Sequence, residues 1–351
     1  MKTKLELREN VSLAPLTTLM IGGTARYFVR AESEEQVAEA VEFAASNNLK
    51  LFILGGGSNV LVSDVGFDGL VIQVNIKGIK NVSTSNPQSA ILNPQLVAGA
   101  GEDWDEFVAY CVKNDLAGIE NLSGIPGLVG GTPVQNVGAY GQEVAETIVS
   151  VRCLDRYTEE FVTLSNAECG FTYRTSIFNS THRDRFIVVS VTFEFKRGGE
   201  PTIDYKDLVE HFGDRRPSLG EVREAVLQIR RLKSMVIDAA DPNSRSAGSF
   251  FKNPVIEIDK FEELRGRFAD VPSFKFGDKV KLPAAWLIER AGFTKGFAMG
   301  RAGISANHTL ALINRGGATA DEILALMQAI QLAVNAKFGV DLQPEPVFVG
   351  F

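Results

Sequence analysis

The chain has 351 residues, of which 45% are hydrophobic and 23% charged, a balance that predicts a folded protein with a sizeable core. Its 36 basic and 43 acidic residues give a net charge of −7 at pH 7, which argues against broad binding of nucleic acid phosphates. The three cysteines, Cys111, Cys153 and Cys169, have no C-x-x-C spacing, so neither a zinc site nor a disulfide framework is predicted. Residues 1–10 lack the apolar core of a signal peptide and no long apolar run follows, which favours a cytoplasmic protein.

The first predicted elements are a strand, a helix and a second strand. A strand over 27–31 is followed by Ser33 and Gln36, the pattern of a capping box, and apolar residues then recur at helical spacing. The strand over 51–54 completes a predicted βαβ unit and leads into the loop 55–59, Gly-Gly-Gly-Ser-Asn. Because consecutive glycines let backbone amides approach an anion, this loop is a candidate phosphate cradle.

A strand over 96–98, a glycine turn and a helix follow. The helix has an apolar face of Trp104, Phe107, Val108, Cys111 and Val112. Trp104 stands where a dinucleotide fingerprint requires glycine, so an ordinary Rossmann domain is rejected. The segments 123–133 and 135–141 are too rich in glycine for regular packing and too apolar for a mobile linker, so we expect a bound partner to order them.

Strands and helices alternate through the rest of the chain. Three further strands are predicted, over 150–155, 160–164 and 186–195. The polar segment 196–200 marks the predicted domain boundary. Two helices are predicted to begin at capping boxes, formed by Ser218 with Glu221 and by Thr319 with Glu322. The pattern predicts an α/β or α+β chain whose N-terminal half binds a ligand.

Six motifs occur in a fixed order along nearly the whole chain. They are Leu54–Asn59, Ser123–Gly127, Gln135–Gly141, Tyr173-Arg174, Gly248–Pro254 and Pro344-Glu345. Together they resemble the UDP-N-acetylenolpyruvoylglucosamine reductase (MurB) family, in its subclass with a tyrosine loop that closes over the substrate. The resemblance implies an α+β fold with an FAD-binding domain of the PCMH or vanillyl-alcohol-oxidase type over 1–200, in subdomains of about 1–75 and 76–200. A C-terminal α+β substrate-binding domain over 201–351 follows, and its last strand returns to the active site.

The same resemblance implies a reaction. NADPH reduces bound FAD, and the reduced flavin reduces the enolpyruvyl group of UDP-N-acetylglucosamine enolpyruvate to give UDP-N-acetylmuramate, a precursor of peptidoglycan. It further implies a cytoplasmic monomer with no metal, no nucleic acid partner and no insertion into the membrane.

FAD carries a pyrophosphate and a broad ring, so its site needs bare amides and small residues. The residues that the resemblance assigns to FAD are Gly55, Gly56, Gly57, Ser58, Asn59, Ser123, Gly124, Ile125, Gly130, Gly138 and Tyr140. For any one loop alone, glycines that end strands and build turns explain the pattern equally well. All of the loops together favour a ligand.

Hydride transfer to the enolpyruvyl β-carbon puts negative charge on the α-carbon and its carboxylate, so the reaction needs a cation and a proton donor. By resemblance, Arg174 contacts the developing enolate, Ser249 donates the proton and Glu345 lies beside the reacting centre. A serine hydroxyl is a poor acid, and Lys233 and Lys252 are candidates for the charge that compensates. The other interpretations are a strand-end salt bridge for the arginine, a small buried serine, and an edge-strand stop at the Pro-Glu-Pro segment.

The residues implied to bind the substrate are Tyr173, Tyr205, Lys233 and Asn253. Tyr205 lies in the loop 203–206, which resembles the tyrosine loop that closes over UDP. The alternatives for Lys233 and Asn253 are compensation of a helix dipole and capping of a turn. His308 is assigned no role.

Two other functions stay open on the residues alone. One is a different oxidoreductase on the same flavin scaffold that oxidises an alcohol or a sugar lactone with oxygen, and the motifs at 248–254 and 344–345 favour the reductase over it. The other is a non-catalytic binder of nucleotide sugars. Against it stand Arg174, Ser249 and Glu345 together, because a binder needs no proton donor.

Overall fold

A computed structural model describes residues 5–82 and 93–351 of the chain. Its contacts divide the chain into a first unit of Met1–Val11, Ala25–Gly56 and Asp68–Val236, and a second unit of Ser12–Thr24, Gly57–Phe67 and Ile237–Phe351. These units do not follow the ranges expected from the sequence, because 201–236 lies with the first unit while 12–24 and 57–67 lie with the second. The expected division into a flavin-binding and a substrate-binding domain stays a prediction.

The helices of the described residues are α1 (Glu34–Ser46), α2 (Trp104–Lys113), α3 (Lys206–Phe212), α4 (Leu219–Leu232), α5 (Ile258–Arg267), α6 (Ala284–Arg290) and α7 (Ala320–Phe338). The strands are β1 (Arg8–Ser12), β2 (Thr24–Ala31), β3 (Lys50–Leu54), β4 (Val60–Val62), β5 (Phe67–Val74), β6 (Ile79–Val82), β7 (Gln95–Gly99), β8 (Leu116–Ala117), β9 (Gly138–Ala139), β10 (Gln142–Glu143), β11 (Ile148–Asp155), β12 (Glu160–Ser165), β13 (Phe186–Glu194), β14 (Lys196–Arg197), β15 (Val255–Ile256), β16 (Phe274–Phe276), β17 (Lys279–Lys281), β18 (Ala298–Met299), β19 (Ala302–Ile304), β20 (Leu312–Asn314) and β21 (Val347–Val349). Every strand and helix predicted from the sequence is confirmed. Among the described helices, none is long and apolar enough to cross a membrane.

The first unit contains two larger sheets. One has the order β1-β2-β5-β3, and the other has the order β12-β11-β13-β7-β6 with antiparallel pairing throughout. β3 pairs in parallel with β5, so β5 separates β2 from β3. The strand, the helix and the second strand of the predicted βαβ unit are present, and both strands lie in one sheet with β5 between them. This order is possible because a helical crossover leaves room for a strand that comes later in the chain.

Capping and apolar patterning explain the helices of the first unit. The Ser33 side chain accepts a hydrogen bond from the Gln36 amide and caps α1, but Gln36 reaches back to the Glu32 amide rather than to Ser33. The predicted cap is confirmed, and the second half of the box is displaced by one residue. In α2, Trp104 and Phe107 are buried against Phe193 of β13, so this helix covers the five-stranded sheet.

The second unit has its own hydrophobic core. It contains the sheets β15-β17-β16 and β18-β19-β20 and the parallel pair β4-β21. The capping box of Thr319 with Glu322 begins α7 as predicted, and Gly339 ends the helix at a φ of 63°. The carboxylate of Asp64 accepts hydrogen bonds from the Ala320 amide at 2.8 and 2.9 Å, which ties the segment 57–67 to this helix.

All three cysteines are free and buried. Burial raises the pKa of the Cys111 and Cys153 thiols, and it raises that of Cys169 to about 12. They therefore stay protonated near neutral pH, as expected of structural rather than reactive thiols.

Candidate functional site

The three glycines after β3 differ in what surrounds them. A Cβ atom on Gly56 would lie 2.7 Å from the Gly127 Cα within the first unit, so two of the predicted cofactor loops run against each other there. Gly57, in the second unit, has a φ of +65° and a Cβ on it would lie 1.9 Å from the Leu16 carbonyl oxygen. Beside Gly55, no atom of the described residues comes within 4 Å of that position. Chain packing thus requires the second and third glycines, while Gly55 leaves a bare backbone edge that fits a ligand.

Asn59 connects the end of this loop to a predicted catalytic residue. Its side-chain amide donates to the Glu345 carbonyl oxygen at 3.3 Å, and its own carbonyl accepts from the Val347 amide at 3.0 Å. Ser58 is partly exposed beside it. The loop residues 57–59 and Glu345 therefore lie together in the second unit.

The loop that begins at Ser123 is held from within the first unit. Ser123 is fully buried and its hydroxyl donates to the Glu120 carbonyl at 2.6 Å, so the turn uses this side chain. The Gly124 amide donates to Asp105 Oδ1 at 2.6 Å, and Arg223 donates to both carboxylate oxygens of Asp105 at 2.6 and 2.8 Å. Burial alone would raise the pKa of Asp105, but the hydrogen bonds from Arg223 and Gly124 outweigh it and hold the pKa below its ordinary value. The ionised carboxylate of Asp105 thus holds the Gly124 backbone amide in place.

The remaining predicted residues of this segment are placed by close packing. A Cβ on Gly130 would lie 2.5 Å from the Ala100 Cβ, and Ile125 is partly buried against the core. For Gly130, packing against the chain is therefore a sufficient reason for glycine.

Arg230 of α4 lies beside Gly124, and its side chain has an unsatisfied donor. The residue is only 6% exposed, and burial lowers its pKa. One terminal nitrogen donates to the Met235 carbonyl at 2.7 Å, whereas Nε has no hydrogen-bond partner among the described residues. Nε lies 3.4 Å from the position of a Cβ on Gly124. A buried cationic donor beside a glycine loop fits the phosphate or carbonyl oxygens of FAD, so the residues present suit this cofactor.

Tyr140, Tyr205 and Lys233 form a cluster in the first unit. The two tyrosine rings meet edge to face with centroids 5.4 Å apart, and the Lys233 ammonium lies 5.7 Å from the Tyr140 ring centroid. Lys233 also donates to Asp207 of α3 at 2.5 Å. Burial raises the pKa of both tyrosines, so their hydroxyls stay protonated and remain hydrogen-bond donors. The structure thus brings together three residues that the sequence assigned to the cofactor and the substrate.

A buried polar network holds the two tyrosine-bearing segments. The Asn121 side-chain amide donates to the Tyr140 carbonyl at 2.9 Å and to the Thr202 carbonyl at 2.8 Å. Its neighbour Glu120 accepts from the Thr202 amide at 3.0 Å and from the Gln142 side chain at 2.7 Å. Glu120, Asn121 and Gln142 are all buried. One pair of adjacent residues therefore sets the position of both segments.

Arg174 has an unusual backbone. Its φ is +54°, and Tyr140 also has a positive φ, of 47°. Such conformations cost non-glycine residues about 1–3 kcal/mol and are concentrated at functional sites. The Arg174 guanidinium donates to the Gly138 carbonyl at 2.6 Å and lies 5.7 Å from the ring centroid of Tyr173. Gly138, Tyr173 and Arg174 are therefore neighbours in the first unit.

The segments that carry Ser249 and Glu345 pair with each other in the second unit. The Glu345 amide donates to the Phe250 carbonyl at 2.9 Å, and the Lys252 amide donates to the Gln343 carbonyl at 3.0 Å, so the two segments run as a short antiparallel pair. The Ser249 hydroxyl lies 3.3 Å from Nε2 of His308. Because 59 residues separate Ser249 from His308, no local sequence pattern predicts this contact.

Asn253 contacts the start of a helix that lies 31 residues further along the chain, rather than capping a local turn. Its side-chain oxygen accepts from the Ala284 amide at 2.9 Å, at the start of α6. Lys233 is the C-cap residue that follows α4, at the helix end as its structural alternative predicts. Their roles toward a substrate stay predictions.

Sequence reasoning missed four residues that hold the site: Asp105, Asn121, Asp207 and Arg230. The only sequence signal was the position of Arg230 near the end of a predicted helix. The other three residues contact partners that are far away in the sequence, so no local pattern indicates them.

Comparison with known proteins agrees with this geometry. A family model described as an FAD binding domain matches residues 25–165, and one described as the C-terminal domain of UDP-N-acetylenolpyruvoylglucosamine reductase matches 241–349. The glycine loops and the first match define the class: the chain is an FAD-binding flavoprotein. The UDP-N-acetylenolpyruvoylglucosamine reductases of Thermobifida fusca and Saccharopolyspora erythraea are 46% and 45% identical to it, over 97% and 96% of this chain and 97% and 94% of theirs. The chain belongs to the UDP-N-acetylenolpyruvoylglucosamine reductase family.

A crystal structure supports the fold. The UDP-N-acetylenolpyruvylglucosamine reductase of Thermus caldophilus superposes with a TM-score of 0.66 at 24% identity and covers 99% of both chains. The predicted α+β fold, with an FAD-binding domain followed by a C-terminal domain, is confirmed.

Proposed function

We propose that this chain reduces UDP-N-acetylglucosamine enolpyruvate to UDP-N-acetylmuramate, with bound FAD and with NADPH as co-substrate. The observation that carries the proposal is the pairing of the segment that bears Ser249 with the segment that bears Glu345, in a member of the reductase family. A proton donor and a carboxyl on two paired segments suit the addition of a proton to a carbon that has gained charge.

FAD, when bound, supplies the hydride. The residues proposed to hold it are those of the predicted loops, in particular Gly55, with its bare backbone edge, and Gly124 with Arg230, where a buried donor lies beside a glycine. Ser123 and Gly130 shape the loop through their contacts with the chain.

The chain's own residues then act on the substrate. Arg174 binds the enolpyruvyl carboxylate, because a guanidinium forms two parallel hydrogen bonds with a carboxylate and offsets the charge that develops there. Ser249 gives its proton to the α-carbon, and Glu345 orients the reacting group. Tyr173, Tyr205, Lys233 and Asn253 hold the nucleotide part, and Lys233 must share its ammonium with Asp207 to do so.

This reaction places the protein in the synthesis of peptidoglycan precursors, and so in cell-wall formation, cell shape and cell division. We propose a cytoplasmic monomer that acts on small nucleotide substrates.

A visible absorption spectrum followed by anaerobic addition of NADPH tests the proposal. The purified protein should show flavin absorbance, NADPH should bleach it, and UDP-N-acetylglucosamine enolpyruvate should restore it without oxygen. Restoration by oxygen alone would favour an oxidase on the same scaffold. No bleaching at all, with substrate still bound, would favour a nucleotide-sugar binder.

A further inference from the structure

His308 is the residue whose ring contacts the Ser249 hydroxyl, and the proposed reaction does not use it. The Oγ and Nε2 atoms lie 3.3 Å apart, which is hydrogen-bond distance. Both side chains are half-buried, so the pair is held by the protein and still open to a small molecule. Which of these two atoms donates the hydrogen of their hydrogen bond decides whether Ser249 can act as an acid.

The backbone fixes the distance between the two residues. Phe250, which follows Ser249, is fully buried and its amide donates to the Leu310 carbonyl at 2.8 Å. The carbonyl of His308 accepts from the Ala311 amide at 3.1 Å, which closes a tight turn around Leu310. Ser249 and His308 therefore lie on two segments that are joined by a hydrogen bond between the residue after Ser249 and the second residue after His308.

Polar side chains fix the rest of the histidine loop, residues 305–311. The buried Thr309 donates from its hydroxyl to Glu289 of α6, and the Ala306 amide donates to Asn243 Oδ1 at 2.9 Å. The loop is thus held on both sides of His308. The backbone that carries the ring is therefore fixed near Ser249.

The direction of the hydrogen bond matters for the proposed chemistry. If Nε2 carried no hydrogen, it would accept the Ser249 proton and turn that proton away from a substrate. If Nε2 carries a hydrogen, it donates to Oγ, and the serine proton is free to point elsewhere. A donated N–H also stabilises the alkoxide that a serine leaves when it acts as an acid.

We infer that His308 is a positioning residue whose Nε2–H donates to Ser249 Oγ and so makes this serine competent as the proton donor; the inference rests on the proposed function. In the step, the Oγ–H bond breaks, a C–H bond forms at the substrate α-carbon, and the negative charge moves from the substrate to Oγ. The Nε2–H hydrogen bond holds that charge until Oγ regains a proton from solvent. No electron changes hands in this step.

The test separates two half-reactions of the FAD-loaded protein. His308→Leu should slow flavin reoxidation by UDP-N-acetylglucosamine enolpyruvate about 10- to 100-fold, the order of one hydrogen bond to a charged oxygen. Flavin reduction by NADPH should stay within about twofold of the wild-type rate, because it needs no proton from Ser249. His308→Gln keeps a side-chain N–H donor and should restore most of the loss. His182→Leu, on a loop of the first unit, is the control.

A double variant distinguishes action through Ser249 from independent substrate binding. In a Ser249→Ala background, His308→Leu should cost nothing further, because its effect requires the hydroxyl. An equal further cost would overturn the inference. ¹⁵N NMR gives a readout without turnover: the chain has three histidines, and the signals missing from His308→Gln should show the Nε2–H form. A bare Nε2 would also overturn it.

The two proposals fail differently. If wild-type protein is not reoxidised by the enolpyruvyl substrate, the proposed function is wrong. If the wild type turns over and His308→Leu is unaffected in both half-reactions, only the inference on His308 is wrong.

Discussion

In the first unit, Tyr140 and Tyr205 are carried by segments tied to the buried side chains of Glu120 and Asn121, whereas in the second unit Ser249 and Glu345 are carried by backbone hydrogen bonds between short segments. The first arrangement depends on the identity of buried side chains. The second depends on backbone groups that every residue has. A side chain can therefore be exchanged at Ser249 with little effect on the fold, while an exchange at Asn121 loosens two segments at once.

The largest effect is expected at Ser249. Because backbone hydrogen bonds hold its segment, we expect a substitution there to lower activity and to leave the fold intact. Ser249→Ala should lower the rate of flavin reoxidation by the enolpyruvyl substrate about 10²–10⁴-fold, the contribution of a positioned general acid. Its thermal midpoint and its reduction by NADPH should match the wild type. Unchanged turnover would remove Ser249 from its role, and a large drop in the thermal midpoint would show that the fold depends on its side chain.

Asn121 should show the opposite combination. Asn121→Leu leaves the Tyr140 and Thr202 carbonyls without their donor in a buried place, so the free energy of unfolding should fall by about 2–4 kcal/mol. The KM for the nucleotide substrate should also rise, since both tyrosine segments shift. Asn114→Leu, which removes a similar bond to Tyr110 on an exposed turn, is the control and should change stability by less than about 0.5 kcal/mol. Equal effects at both positions would argue against the network.

Substitutions at the neighbouring residues Gly55 and Gly56 should distinguish an effect on chain packing from an effect on ligand binding. Gly56→Ala should lower the free energy of unfolding by about 1–3 kcal/mol with or without added FAD, because its Cβ would meet the backbone of Gly127. Gly55→Ala should change stability by less than about 0.5 kcal/mol without FAD and should weaken FAD binding, because its Cβ points to the bare edge. Wild-type FAD affinity in Gly55→Ala would contradict the proposed cradle. Denaturant titrations with and without FAD make the measurement.

The smallest expected effect concerns Asp105 and depends on pH. Its pKa in the folded protein lies below the ordinary value of 3.8, so its contribution to stability is present above that pH and is lost as the pH falls through the folded pKa. Asp105→Asn should cost about 1–2 kcal/mol at pH 7, and the difference from wild type should shrink on acidification below 3.8. Asp68→Asn, in the exposed pair with Arg26, is the control and should cost almost nothing. A difference that grows with acid would contradict the assignment.

The sequence by itself determined the local structure. The structure confirms the predicted strands, the cap at Ser33 and the capping boxes at Ser218 and Thr319. Each of these features depends only on residues that are close together in the sequence. The ordered glycine and site motifs also indicated the family, since each motif is a short run that can be recognised without knowing the fold.

Only the tertiary structure decided which distant residues meet. In the tertiary structure β5 lies between β2 and β3. Asp207 forms an ion pair with Lys233, and Arg230 is buried beside Gly124. The tertiary structure also brings His308 to Ser249 across 59 residues. The physical reason is that capping and periodicity are set by neighbours along the chain. A contact between remote side chains depends on how whole strands and helices pack, and no short stretch of sequence encodes that packing.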